Sequence, residues 1–160
     1  MNAKEEFLKK LQENEEIRVA NENKISSDIQ AYQKALLDLI NNIKKWLTDT
    51  PIKTTVQEFD FFDNTIPLKI NFKMYHIEVS NNNKKMIIKP EYLYNMGQSG
   101  GMSIDYQGFN STDKPMLFMK SSLAKDIPDD CLVLALKTAS GTSYIPFTED
   151  EFFKLLIKIA

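Results

Sequence analysis

Residues 25–46 read ISSDIQAYQKALLDLINNIKKW, and their apolar positions fall at Ile25, Ile29, Tyr32, Leu36, Leu39, Ile43 and Trp46. Steps of four and three alternate over three heptads, the spacing of one apolar stripe along an α-helix. Residues 1–50 contain neither glycine nor proline. Upstream, Phe7, Leu8 and Leu11 begin a similar stripe, but Asn14, Arg18 and Asn21 occupy its continuation. The first part of the segment is therefore only weakly amphipathic. Ser27 followed by Gln30 has the spacing of a capping box, so two readings arise. One is a single helix of about 45 residues; the other is a shorter arm followed by a helix from about 27 to 48. Pro51 ends either, because the residue before a proline is driven out of the α region.

After Ile52 the period changes to two. Ile66, Leu68, Ile70 and Phe72 alternate with polar residues, and Tyr75, Ile77 and Val79 continue on the opposite parity. The switch predicts a turn or bulge near Asn71 to Met74. Further strands are predicted at 85–89, 102–107, 115–120, 131–137 and 143–146, separated by the turn signals SNNNK, GQSGG, GFNSTDKP, DIPDD and ASGTS. No helical pattern intervenes, which favours an antiparallel meander over βαβ units. At the end of the chain Thr148 and Glu151 match a capping box, and Phe147 and Phe152 stand at the positions of a hydrophobic staple. A helix is predicted from 149, apolar around much of its circumference and so packed on the sheet. The expected fold is α+β: an N-terminal helical arm over 1–50, then an antiparallel meander of five to seven strands with a C-terminal helix over 51–160. Residues 25–50 and 51–160 form one globular unit.

A chain of 160 residues with 42% hydrophobic and 26% charged residues is one domain able to bury its own core. The single cysteine, Cys131, lies in the apolar run CLVLALK and is expected to be a buried thiol, which fits a reducing cytoplasm. No apolar run is long enough to span a bilayer, and MNAKEEFLKK lacks the core of a signal peptide, so neither export nor membrane insertion is predicted. Net charge is −2, distributed as −1 over 1–50, +1 over 51–100 and −2 over 101–160. With 19 lysines and one arginine, the chain has little of the arginine fork that base and phosphate recognition uses. Nucleic acid is not an expected partner.

Gly97, Ser99 and Gly101 match Gly-x-Ser-x-Gly. A nucleophile elbow needs a helix directly after its serine, to supply the oxyanion site. Here GMSIDYQ follows and alternates like a strand, and the only histidine, His76, precedes the serine. The run GQSGG also resembles the Gly-Asp-Ser-Gly-Gly of chymotrypsin-like serine proteases. The likeness covers five residues and departs at Gln98, and no aspartate lies between His76 and Ser99. That family draws its histidine and serine from two separate barrels, for which 22 residues leave no room. The glycines are read as turn residues.

His76 and Glu78 share one face of a predicted strand, but two ligands do not make a metal site. Asp126, Asp129 and Asp130 lack the spacing and central glycine of a calcium loop. No cofactor and no metal are expected. The segment QEFDFFDN packs Phe59, Phe61 and Phe62 among Glu58, Asp60 and Asp63, and two readings arise: all three rings enter the core from a strand and its following turn, or they form an aromatic anchor rimmed by charge. The expected function is a non-catalytic protein-binding module of the small inhibitor, immunity or adaptor type. Its partner, another protein or a second copy, would be met by Phe7, Leu11, Phe59, Phe61 and Phe62. Two alternatives stand beside it: a self-assembling structural protein that dimerises through the arm as a coiled coil, and an enzyme with an unrecognised acid-based site.

Overall fold

The structure, a computed structural model, describes residues 2–111, 114–124 and 126–160. The heptad stripe and the residues before it form one uninterrupted helix, α1 (Ala3–Trp46). Asn2 caps it, its side chain accepting the Glu5 N–H at 2.8 Å. The capping box at Ser27 is not used. Lys24 and Asp28 form an ion pair one turn apart across that point at 2.9 Å, and Ile25 and Ile29 are both buried, so the helix gains by running through.

Strands β1 (Lys53–Phe62), β2 (Asn71–Asn81), β3 (Lys84–Asn95), β4 (Gln98–Gln107), β5 (Met116–Phe118), β7 (Val133–Thr138) and β8 (Gly141–Pro146) lie side by side in chain order. The two-residue β6 (Lys120–Ser121) pairs with β4 beyond β5. Every pairing is antiparallel, giving the expected meander. The turn signal at 108–115 includes Thr112 and Asp113, which lie outside the described residues.

Two local readings are corrected. Residues 63–70 are irregular rather than a strand: Ile66 is buried and Leu68 half-buried, but Pro67 between them cannot donate to a ladder. The expected turn at Asn71 to Met74 is instead the start of β2, which runs unbroken to Asn81. Its parity changes because both faces are covered. Met74 is fully buried on one face, and Ile77 and Val79 are fully buried on the other.

Pro90 shapes the middle of the sheet. The β2–β3 ladder ends at Ile77 and Ile88, and a bulge follows between Pro90 and Tyr92. β3 stays paired with β4 on both sides of the bulge and β2 stays paired with β1 from Asn71 to Ser80, so past Pro90 β2 and β3 keep their outer partners and lose each other. A proline removes the N–H that a continued β2–β3 ladder would require. The connection from β1 to β2 fills this opening. Asp63, almost wholly buried, accepts the Leu93 N–H at 2.5 Å, and Thr65 Oγ1 accepts the Tyr94 N–H at 3.2 Å. On β4, the carbonyl of Gly101 accepts the hydroxyl of buried Tyr32 from α1 at 2.5 Å. A side chain at Gly101 would meet the Tyr92 ring at 2.8 Å, which explains the glycine.

The last helix, α2 (Glu149–Leu156), begins where its signals place it. Thr148 Oγ1 accepts the Glu151 N–H at 3.3 Å, and the Phe147 and Phe152 rings meet edge to face at 6.4 Å. Trp46, at the end of the α1 stripe, lies 5.4 Å from Phe152 and 6.2 Å from Phe147. A 3₁₀ turn (Ile157–Ile159) completes the chain, and Asn81 Nδ2 donates to the Ile159 carbonyl at 2.7 Å. The two helices thus close one core over the sheet.

Candidate partner-binding surface

The buried stripe of α1 starts at Ile25. Every residue from Ala3 to Asn21 is exposed, so about 19 residues of helix, roughly 28 Å, project beyond the body. Ion pairs along the surface support this arm: Arg18 reaches Glu22 at 2.7 Å and Glu15 on the preceding turn. Each such pair adds only about 0.2–0.5 kcal/mol to a helix. Phe7 and Leu11 lie on the arm, 62% and 51% exposed, accompanied by Leu8, Ile17 and Val19.

Where the arm leaves the body, the Tyr94 hydroxyl and Lys24 both donate to Asp28 Oδ2, at 2.5 and 2.9 Å, and Lys24 lies 5.7 Å over the Tyr94 ring. Burial pushes the Asp28 carboxyl upward, but the Tyr94 and Lys24 hydrogen bonds and the lysine charges outweigh it, leaving the group below its ordinary value. Burial, and then the Asp28 carboxylate, raise the Tyr94 phenol. This anchor joins residues 66 apart, with no local pattern to reveal it.

Phe59 and Phe61 are half-buried on edge strand β1, their rings edge to face at 6.0 Å. Phe61 meets Phe72 at 5.6 Å, and Phe59 meets His76 at 5.7 Å. Phe62 points the other way and is 56% exposed. The arm and the β1 patch are distinct surfaces: Gln33 bonds the Lys73 carbonyl beside β1, and Phe7 lies 26 residues, about 39 Å, further along the helix.

The residues tested for chemistry are not gathered. Ser99 sits within β4, paired with Tyr94 and Lys120, after a turn in which Gly97 has a φ of 71°. Glu78 pairs with Lys85 at 3.4 Å, whereas the His76 Nε2 is buried and without a hydrogen-bond partner among the described residues. Among those residues no group of three His, Cys, Asp or Glu is placed to hold a metal, and no helix is long and apolar enough to cross a membrane. Cys131 is a correction. It precedes β7 and is half-exposed rather than buried, its thiol directed at the carbonyls of Leu132 and Phe147 at 3.5 and 3.8 Å. Comparison with known protein families, curated proteins and solved structures returned no match.

Proposed function

We propose that the chain is a non-catalytic protein-binding module of the small inhibitor, immunity or adaptor type, acting in the cytoplasm, with the projecting half of α1 as its contact element. The observation behind this reading is the arm itself: 19 exposed helical residues carrying Phe7, Leu8, Leu11, Ile17 and Val19 in water. In proteins tertiary packing ordinarily supplies most of a helix's stability, and along these residues the chain's own body supplies none. A partner covering the arm would remove its apolar surface at roughly 25 cal/mol per Å². Exposed Phe62, beside half-buried Phe59 and Phe61 on an edge strand, offers a second and smaller anchor.

Deletion of residues 2–20 separates contact from core. The deleted protein is expected to melt within a few degrees of the full chain but to lose its partner in a pull-down from the native host, or its self-association in sedimentation. A deletion that unfolds the domain, or that leaves both partner set and mass unchanged, sinks the reading.

A further inference from the structure

A groove of about 430 Å³ runs along the body half of α1, from Ala31 to Trp46. Ala31, Ala35, Leu39 and Trp46 form one side, with Leu132 and Phe147 opposite. We propose that this groove receives the arm of a second copy, so that two chains exchange their arms in an antiparallel, two-fold pair. The proposal rests on the arm being the contact element and names its partner.

The heptad register carries the argument. Lys4, Leu11, Arg18, Ile25, Tyr32, Leu39 and Trp46 recur every seven residues, as do Phe7, Asn14, Asn21, Asp28, Ala35 and Asn42. After Ile25 the core takes Tyr32 of the first row together with Ile29, Leu36 and Ile43, while Leu39 and Trp46 of that row and Ala35 and Asn42 of the second line the groove. Antiparallel coiled helices set one such row against the other. When Leu11 opposes Ala35 of the second copy, Phe7 opposes Leu39, Arg18 opposes Asp28, Lys10 opposes Asp38 and Ile17 opposes Ala31. Leu11 and Ile17 meet alanines, Phe7 meets Leu39, and bases meet acids. The pairs 11–35, 7–39 and 18–28 are centred on residue 23, and the flanking pairs 10–38 and 17–31 lie two residues offset along the seam; each pair recurs with the copies exchanged, so both arms engage in the same way at once, as a closed two-fold dimer requires. Gradual supercoiling, about 20° per heptad, turns the Phe7–Leu11 face toward the groove.

Competing registers lose these matches. A shift of one heptad puts Leu11 against Asp28 or Asn42 and leaves Arg18 without an acid opposite it. Parallel pairing would stack Arg18 on Arg18. At the proposed axis Glu22 lies near its own symmetry mate, and each is already held by Arg18 of its own helix at 2.7 Å. The charges agree as well: the groove rim carries Asp38, Asp129 and Asp130 against Lys34 and Lys120, whereas residues 4–10 of the arm carry three lysines and two glutamates.

Paired cysteines test the register. In a Cys131→Ser background, Leu11→Cys with Ala35→Cys places two thiols 24 residues apart on one continuous helix, about 36 Å, too far to close within a chain. Mild oxidation is expected to convert most of this protein to a covalent dimer, and neither single cysteine should do so. Lys10→Cys with Asp38→Cys, both exposed positions, repeats the test where no core residue is disturbed. Sedimentation should give a dimer for the full chain and a monomer after deletion of residues 2–20. Absence of cross-linking in both pairs, or dimerisation by Leu11→Cys alone, overturns the antiparallel exchange. A monomeric full chain that loses a different protein on arm deletion also overturns it and leaves the proposed function standing; unchanged mass and partner set overturn both.

Discussion

The carboxylate of Asp63 accepts the backbone N–H of Leu93, 30 residues away, at the point where β2 and β3 part. The same carboxylate accepts the Thr65 N–H at 2.9 Å and the Thr65 hydroxyl at 2.6 Å. One side chain thus satisfies three donors. A buried donor left without an acceptor costs about 1–3 kcal/mol, and hydrogen bonds to charged groups are worth about 1.5–3 kcal/mol each. Asp63→Ala is expected to destabilise the domain by about 3 kcal/mol, a large share of a total near 5–15 kcal/mol. Asp63→Asn, which keeps an acceptor, should cost markedly less. Urea unfolding of the two variants checks this; equal midpoints would show that Asp63 does not hold the opening.

The Asp63 contact also marks where the sequence stopped being legible. Helices α1 and α2 and the meander could be read because their signals are local: a stripe from Ile25 to Trp46, a cap at Thr148, and turns rich in asparagine and glycine. Residues 63–70 were misread because Ile66, Leu68 and Ile70 alternate while they cross the gap between β2 and β3, and only Pro67 speaks against a strand. The exposed arm was half legible. Asn14, Arg18 and Asn21 show that its stripe fails, but the unbroken run through Ser27 depends on burial of Ile25 and Ile29 by a sheet formed later in the chain. The groove could not be read at all, because Ala31, Ala35 and Leu132 are assembled only by the fold.

The anchor at the base of the arm predicts a pH dependence. The Asp28 carboxyl is lowered in the folded chain, so its contribution to stability is present above the ordinary carboxylate pKa of about 4 and is lost as pH falls through the folded value. Tyr94→Phe removes one of the hydrogen bonds that lower it. The variant should be less stable than the parent at pH 6, and the difference should shrink toward pH 3. Thermal melts across that range decide it, and a gap that widens in acid would contradict the assignment.

Ser99 is expected to be chemically silent. It lies inside β4 with a strand neighbour on each side, and β4 continues after it to Gln107 with no helix to polarise an oxyanion. A fluorophosphonate probe should leave the protein unlabelled, and Ser99→Ala should keep the parent melting temperature within about a degree or two, as surface-type substitutions do. Stoichiometric labelling at Ser99 would refute the turn-and-strand reading.

Truncation after Pro146 is expected to unfold the domain. It removes Phe147 together with Phe152, Leu155, Leu156 and Ile159, all buried, and strips the aromatic contacts from Trp46. Each such side chain contributes about 1.5–3 kcal/mol on burial, so their combined loss exceeds the stability of an ordinary domain. A soluble 1–146 fragment with a cooperative melt would show that α2 is peripheral.

Leu11 and Leu36 offer the sharpest contrast along one helix. They are 25 residues apart, almost seven full turns, so both side chains leave α1 in nearly the same direction. Leu36 is completely buried over the sheet, whereas Leu11 has no sheet beneath it and is half exposed. Leu36→Ala should therefore cost about 2–5 kcal/mol through lost burial and a residual cavity. Leu11→Ala should cost little in a dilute, unpartnered chain, since neither state removes that side chain from water. If the arm is covered in solution, the Leu11 penalty should grow with protein concentration while the Leu36 penalty stays constant, because association adds stability only to the folded, paired form. Melts of both variants across a hundredfold concentration range read this directly, and a Leu11 penalty as large as that of Leu36 at the lowest concentration would place the arm inside the core.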